Sequence, residues 1–184
     1  MTAVRSTSPS PDAQPPTVHP GAIEVGERLG PHFRDCYACG DRPESGLHLE
    51  VRRAEGVAIE AEFTVTDDHQ GAPGLAHGGL LAAAFDDALG YVLWIIGEPA
   101  VTGRLEIDYL RPVPVGTTLH LTARCTGVLG RKIWAEGEGR LGAPDGQVAV
   151  KAAALFIKVG TEHFEQHGRG LEELSEDLVR RYNP

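Results

Sequence analysis

The chain has 184 residues, enough for one hydrophobic core with tails and too few for two ordinary domains. Hydrophobic residues make up 41% of it and charged residues 23%, as in globular proteins that fold in water. The formal net charge of −9 argues against nucleic acid binding through general attraction to phosphates. Three cysteines cannot all pair, which indicates a reducing compartment, so we expect a cytoplasmic protein.

Three regions follow one another along the chain. Residues 1–22 are rich in proline and polar side chains and are predicted to be a disordered leader. They contain no apolar signal segment, and Asp86 and Asp87 interrupt the longest apolar run, so neither export nor a membrane span is predicted. Residues 23–160 form the predicted domain. Residues 161–184 form a predicted C-terminal surface helix, because Leu171, Leu174 and Leu178 recur at helical spacing.

Within the domain, apolar and polar residues alternate with period two before and after one long apolar stretch. That stretch, from His77 to about Ile96, is apolar on every side of a helix, which predicts a helix buried all round. Predicted strands cover residues 47–52, 57–65, 101–109, 119–125, 133–139 and 147–159. Two strands, one helix and four more strands predict an α+β hotdog fold, an antiparallel six-stranded sheet wrapped around one long buried helix.

The start of the predicted helix can bind a carbonyl oxygen. About four backbone N–H groups there lack helical partners, and the macrodipole adds roughly half a positive charge. Gly78 and Gly79 have no side chains to keep a ligand away, so these amides can stabilise an oxyanion. The alternative is that the two glycines only let the helix start pack closely on the sheet.

Asp86 and Asp87 lie in the middle of the apolar helix, where an unpaired carboxylate is costly. At least one should face a wet cavity or a neighbouring subunit; alternatively, both cap or pair with groups on the least buried side. His77 and Asp86 are about half a turn out of phase and ~13 Å apart along the axis. If both act on one substrate, they do so across a two-fold dimer with antiparallel helices.

The run from Cys36 to Val159 resembles the PaaI-like branch of hotdog acyl-CoA thioesterases. The motifs that carry this resemblance are Cys36-Tyr37-Ala38-Cys39-Gly40 with Gly46-Leu47, His77-Gly78-Gly79, Asp86 nine positions after that histidine, Thr102 with Ile107 to Pro114, Gly130-Arg131-Lys132, and Leu155 to Lys158. The resemblance implies hydrolysis of an acyl-CoA to free acid and CoA. It also implies a homodimer, or a dimer of dimers, with each site built from two subunits.

By motif position, the resemblance implies that the Gly78 amide of one subunit polarises the thioester carbonyl. It implies that Asp86 of the other subunit is nucleophile or general base, that Thr102 orients water or the carboxylate, and that His77 shapes the pocket. Family spacing selects Asp86 rather than Asp87. Strand parity turns Thr102 away from the helix, so it reaches the site only if Gly103 forms a bulge or the strand begins later.

Arg131 and Lys132 form a local positive spot at a predicted hairpin tip of an acidic protein. The resemblance implies that they bind the phosphates of CoA; the alternative is that they serve solubility alone.

Cys36 and Cys39 form one C-x-x-C pair, to which His32 or His48 is the nearest candidate metal ligand. A zinc site needs four ligands and only one such pair exists, so we interpret both cysteines as packing or turn residues. No metal ion or other cofactor is expected.

Two other functions fit the same features. A hotdog dehydratase or hydratase would use His69, in the loop before the helix, together with Asp86. A non-catalytic acyl-CoA binding module would keep the pocket and release no thiol.

Overall fold

The computed structural model describes residues 6–160 and 162–168. Seven antiparallel strands form one sheet in the order β1-β2-β3-β7-β8-β9-β6, and helix α1 packs against its central strands. In chain order the elements are β1 (Arg28–Leu29), β2 (Glu50–Ala54), β3 (Ala58–Thr64), β4 (Gln70–Ala72), β5 (Leu75–Ala76), α1 (Gly78–Ile96), β6 (Ala100–Tyr109), β7 (Thr118–Leu129), β8 (Lys132–Leu141), β9 (Val148–Lys158) and α2 (Glu162–His167). A 3-10 turn, Asp67–His69, precedes the small β4–β5 ribbon.

The predicted α+β hotdog architecture is confirmed, with a correction to the strand count. The six predicted strands are present, and the two-residue β1 adds a seventh by pairing Leu29 with Val51. The first long strand begins at Glu50 rather than Leu47, because His48 has a φ of 50° that breaks the extended backbone. The amides of Leu47 and Leu49 therefore donate to carbonyls of the preceding loop instead of to a strand.

Helix α1 is the centre of the core, but it is not buried on every side as predicted. Phe85 and Leu89 are fully buried against the sheet, whereas Ala82, Asp86 and Gly90 form a half-exposed stripe. One sheet covers only the sides of a helix that face it, which leaves this stripe open in a single chain. The helix ends where Gly97 adopts a left-handed conformation, with φ 76°.

By length and composition α1 also resembles a membrane span, with 19 residues and a mean hydropathy of 1.6. The core helix of a globular domain meets the same criteria, and 56% of this span is buried inside the structure. Packing against the sheet therefore accounts for its apolar character.

The segment predicted to be a disordered leader lies against the sheet from residue 6 onward. The Trp134 indole N–H donates to the Ser6 carbonyl at 3.0 Å, and Gln14 forms a β-bridge with Val128. Trp134 pairs with Leu155, and both are buried outside the core cluster around α1. The leader thus covers apolar side chains on the other sheet face, which differs from the predicted disorder and explains why β9 is apolar on both faces.

Helix α2 is the described part of the predicted C-terminal helix. Leu171, Leu174 and Leu178, which carry the helical spacing of residues 161–184, lie outside the described residues.

Candidate active site

The side chains of Asp86 and Thr102 meet beside the half-exposed stripe of α1. The Thr102 hydroxyl donates a hydrogen bond of 2.8 Å to Asp86 Oδ1. The pairing of β6 with β9 shifts between Thr102 and Arg104, so of the two expected alternatives the bulge at Gly103 is the one present. The bulge turns Thr102 to the helix side of the sheet, where it pairs with the buried Phe156.

Partial burial raises the pKa of the Asp86 carboxyl, because desolvation disfavours its charged form. The hydrogen bond from Thr102 acts in the opposite direction. Oδ2 of Asp86 has no hydrogen-bond partner among the described residues. The carboxylate is therefore held by one oxygen, and the other is available to a ligand or water.

The first turn of α1 presents an open backbone amide. His77 caps the helix by accepting a 2.9 Å hydrogen bond from the Gly79 N–H at Nδ1. Within residues 6–160 and 162–168, the Gly78 N–H donates no hydrogen bond. The Tyr109 hydroxyl donates to the Gly78 carbonyl at 2.8 Å and so anchors the following peptide, between Gly78 and Gly79.

Gly78 and Asp86 of one chain do not meet. Eight residues of α-helix correspond to about 12 Å along the axis and to roughly 80° of rotation. A small reacting group cannot contact both within one chain. The separation agrees with a site shared between two chains and disagrees with one built from a single helix.

His69 is a structural residue. It is 2% exposed, its Nδ1 accepts from the Thr66 N–H at 3.1 Å, and its Nε2 lies 3.3 Å from the Gly46 carbonyl. Its own carbonyl accepts from the His77 N–H at 2.7 Å. Because both ring nitrogens are engaged, His69 supports the start of α1 and is poorly suited to transfer a proton to a substrate.

Arg131 and Lys132 are exposed at the β7–β8 hairpin tip. Arg131 Nε donates to the Lys158 carbonyl at 3.1 Å. Lys132 pairs with Ile157, which pairs with Val101 on β6. With strands about 4.8 Å apart, Lys132 lies roughly 10 Å across the sheet from the residue before Thr102.

Asp87 faces a different environment from Asp86. Its Oδ1 lies 3.1 Å from His32 Nδ1 and 3.7 Å from Cys36 Sγ, and Cys39 Sγ lies 3.4 Å from His32 Nδ1. Asp87 Oδ2 is buried and has no hydrogen-bond partner among residues 6–160 and 162–168. We call His32, Cys36, Cys39 and Asp87 the His-Cys-Asp cluster.

Charges within this cluster shift one another. Burial disfavours the protonated imidazole of His32, yet the Asp87 carboxylate raises its pKa to about 9. A hydrogen bond from Cys39 lowers the pKa of the Cys36 thiol to about 4, whereas the pKa of Cys39 is raised. His48, the other histidine considered with the cysteines, instead contacts the Gly40 carbonyl through Nδ1 at 3.0 Å.

A shallow groove of about 900 Å³ crosses six strands of the sheet. Its lining includes Glu60, Arg124, Glu136 and Lys151 but none of Gly78, Asp86 or Thr102. The candidate site therefore lies outside this groove.

Sequence reasoning missed two features of this region. Tyr109 lies 31 residues from Gly78, and only the fold shows that its hydroxyl reaches the Gly78 carbonyl. His32 and Asp87 are 55 residues apart, and no local spacing connects them. The one signal for the His32–Asp87 contact was the position of Asp87 in the middle of an apolar helix, where a carboxylate needs a partner.

Three comparisons with known proteins agree on the fold. The thioesterase superfamily model matches residues 73–141. The crystal structure of a thioesterase superfamily protein is 31% identical, with a TM-score of 0.63, and the match covers 74% of this chain and 73% of that one. A Streptococcus mutans protein crystallised with acetyl CoA is 24% identical with a TM-score of 0.57, covering 61% and 89% of the two chains, a likeness of fold.

Among curated proteins, the Xenopus laevis acyl-coenzyme A thioesterase THEM4 is 30% identical over 90 residues, which are 49% of this chain and 40% of that protein. The chain thus spans less than half the length of this relative.

Proposed function

The chain belongs to the thioesterase superfamily, and from this premise we propose that it hydrolyses an acyl-CoA thioester to the free acid and CoA. The observation that carries the proposal is the 2.8 Å hydrogen bond from Thr102 to Asp86 on the half-exposed side of the core helix. The similarity to an acyl-coenzyme A thioesterase and to a fold crystallised with acetyl CoA supports the choice of substrate.

Asp86 is the general base. Thr102 holds Oδ1, and Oδ2 has no partner among the described residues, so it can accept a proton from water. The water oxygen then attacks the thioester carbonyl carbon. The carbon–sulfur bond breaks as the tetrahedral intermediate collapses, and CoA leaves as a thiolate that takes up the proton accepted by Asp86, which restores the base.

The Gly78 amide stabilises the intermediate. Its N–H is free of protein acceptors within the described residues, and the helix dipole favours negative charge at this end. The Tyr109 hydroxyl holds the next peptide, between Gly78 and Gly79, through the Gly78 carbonyl and so anchors the first turn of the helix beside this donor.

Two chains build each site. Gly78 and Asp86 of one chain are about 12 Å apart along α1, and a two-fold axis with antiparallel helices brings the Gly78 of one protomer to the Asp86 of its partner. Strand β6 supports this arrangement because it is an edge strand, paired only with β9 in the described chain. Tyr109 and Leu110, at the end of that edge, are 53% and 50% exposed.

Arg131 and Lys132 bind the phosphates of CoA. Both are exposed at the sheet end from which β6 starts, about two strands from Thr102. This position leaves room for the pantetheine arm between the phosphates and the thioester.

Thiol release from a panel of acyl-CoA and acyl-carrier-protein substrates tests the proposal. We expect turnover with at least one acyl-CoA and loss of turnover in Asp86→Asn. Asp145→Asn, in the exposed β8–β9 turn, makes the same change in charge away from the site and should leave turnover intact. Binding of acyl-CoA without thiol release would instead identify a binding module. Unchanged turnover in Asp86→Asn would contradict the mechanism.

A further inference from the structure

The His-Cys-Asp cluster combines four side chains that bind metal ions in proteins. His32, Cys36 and Cys39 come from the loop before β2, and Asp87 comes from the middle of α1. The ligand atoms of His32, Cys39 and Asp87 lie within 4.8 Å of one another, and Cys36 Sγ is 3.7 Å from Asp87 Oδ1. None of the four is used by the proposed hydrolysis.

Three distances within the cluster match three of the six edges of a tetrahedron around zinc. With bonds of about 2.3 Å to sulfur and about 2.0 Å to nitrogen and oxygen, the edges are roughly 3.5 Å for S–N and S–O and about 3.3 Å for N–O. The corresponding distances are 3.4 Å (Cys39–His32), 3.7 Å (Cys36–Asp87) and 3.1 Å (His32–Asp87). All three lie within the tolerance of a binding site.

Hydrogen bonds alone explain the cluster poorly. His32 Nδ1 carries at most one proton, yet it lies within contact of both a carboxylate oxygen and a sulfur. Asp87 Oδ2 is buried with no hydrogen-bond partner in the described part of the chain, and an unbound ion or water is one explanation for such an atom. A divalent cation can bind all four side chains as ligands at once, and its positive charge offsets that of the thiolates and the carboxylate.

The surroundings hold the ligands in place. The His32 ring stacks on Tyr91 at 4.1 Å and meets Trp94 edge-on at 4.9 Å. The His32 backbone N–H lies 3.4 Å from Cys39 Sγ, a contact that favours a thiolate acceptor. A side chain at Gly40 would come within 2.4 Å of backbone oxygens, so the turn after the C-x-x-C pair needs glycine.

We propose that His32, Cys36, Cys39 and Asp87 bind one zinc ion. The ligands are His32 Nδ1, the two thiolate sulfurs and the Asp87 carboxylate, and binding releases the thiol protons to solvent. Four protein ligands fill a tetrahedral shell, so the ion is structural and fastens the loop before β2 to the core helix. Three of the ligands lie outside residues 73–141, the part matched by the family model.

Metal analysis of the full chain, purified with a reductant and without chelator, tests this site. We expect one zinc ion per chain by mass spectrometry and a thiolate-to-cobalt charge-transfer band after cobalt substitution. Cys39→Ser and Asp87→Asn should lose the metal. Cys125→Ser, which changes a buried thiol on β7, and Asp86→Asn, one position from the ligand, should keep it.

The cobalt spectrum is recorded on the unmutated chain, so it tests metal binding even if a ligand variant fails to fold. A folded, reduced chain that binds neither zinc nor cobalt stoichiometrically would overturn the proposal. A Cys36–Cys39 disulfide in the reductant-purified protein, with no metal present, would also overturn it. Each readout is independent of thioester hydrolysis, so the result stands apart from that of the activity assay.

Discussion

Asp86 and Asp87 are consecutive residues of one helix, yet they have opposite environments. A step of about 100° turns Asp86 toward Thr102 on the half-exposed stripe and Asp87 toward the His-Cys-Asp cluster. Asp86 keeps one oxygen without a partner in the part of the protein that the structure describes. The Asp87 side chain is only 12% exposed and is surrounded by an imidazole and two thiols.

The contrast shows how one apolar helix accommodates two carboxylates: each has a polar partner, Thr102 for Asp86 and His32 for Asp87. One carboxylate lies beside the solvent that a hydrolase needs, and the other lies among groups that hold a loop. In the proposed account the same type of side chain serves reaction in one position and structure in the next. The predictions below separate these two tasks.

Asp86→Asn and Asp87→Asn should affect different properties, the first the rate of turnover and the second the stability of the fold. Removing the base at Asp86 should lower kcat by about 10²- to 10⁴-fold and leave the melting temperature near that of the unmutated chain. Asp87→Asn should lower the free energy of unfolding by roughly 3–5 kcal/mol, because it leaves His32 without its buried charged partner. Thiol release and thermal unfolding measure the two effects, and equal losses of kcat and stability in both variants would break the contrast.

Gly78→Pro should remove the oxyanion donor without breaking the helix. Proline suits the first helical position, and His77 already has the extended backbone, φ −70° and ψ 128°, that a following proline needs. Loss of one such N–H lowers kcat by about 10²- to 10³-fold. Thiol release at saturating acyl-CoA measures this loss of kcat.

Gly78→Ala is the matched control, because it keeps the N–H. Its Cβ would lie 3.5 Å from the Tyr109 ring, an ordinary contact, so activity should stay within a few-fold of the parent. Equal activity in the proline and alanine variants would remove the Gly78 amide from the mechanism.

Thr102→Val should have a smaller effect, since it removes one hydrogen bond and leaves the carboxylate. A hydrogen bond to a charged group contributes about 1.5–3 kcal/mol, which corresponds to a loss of roughly tenfold or more in kcat/KM. Thr102→Ser keeps the hydroxyl and should retain most activity. A serine variant as slow as the valine variant would assign Thr102 a packing role.

Lys132→Ala should have the smallest effect, on KM alone. An exposed charge contributes about 1 kcal/mol at most, so KM for acyl-CoA should rise roughly two- to fivefold, and the rise should shrink in high salt. Lys151→Ala, an exposed lysine on β9, is the comparison. A change in kcat with constant KM would contradict phosphate binding at the hairpin tip.

The sequence predicts most of the fold because period-two and helical patterns are local. Strand parity also leaves two ways for Thr102 to reach the site, a bulge at Gly103 or a later strand start, and the structure has the bulge. Contacts between distant segments escape such reasoning. The positive φ of His48 and the packing of the leader on Trp134 depend on neighbours that local spacing does not identify.

The same limit applies to the site. Asp86 and Gly78 carry recognisable chemistry in a single helix, and a carboxylate inside an apolar run is conspicuous. The cysteine pair lacks two ligands until the fold brings His32 and Asp87 beside it. Likewise, strand pattern alone gives no reason to connect Tyr109 with the Gly78 carbonyl.

Activity of a mixed dimer tests the shared site most directly. Asp86→Asn and Gly78→Pro chains, each inactive alone, are co-expressed with different affinity tags, and the heterodimer is isolated by two purification steps. One of its two sites then combines an intact Gly78 with an intact Asp86, so it should recover about half of the parent activity. A heterodimer as inactive as its two parents would contradict a site built from two subunits.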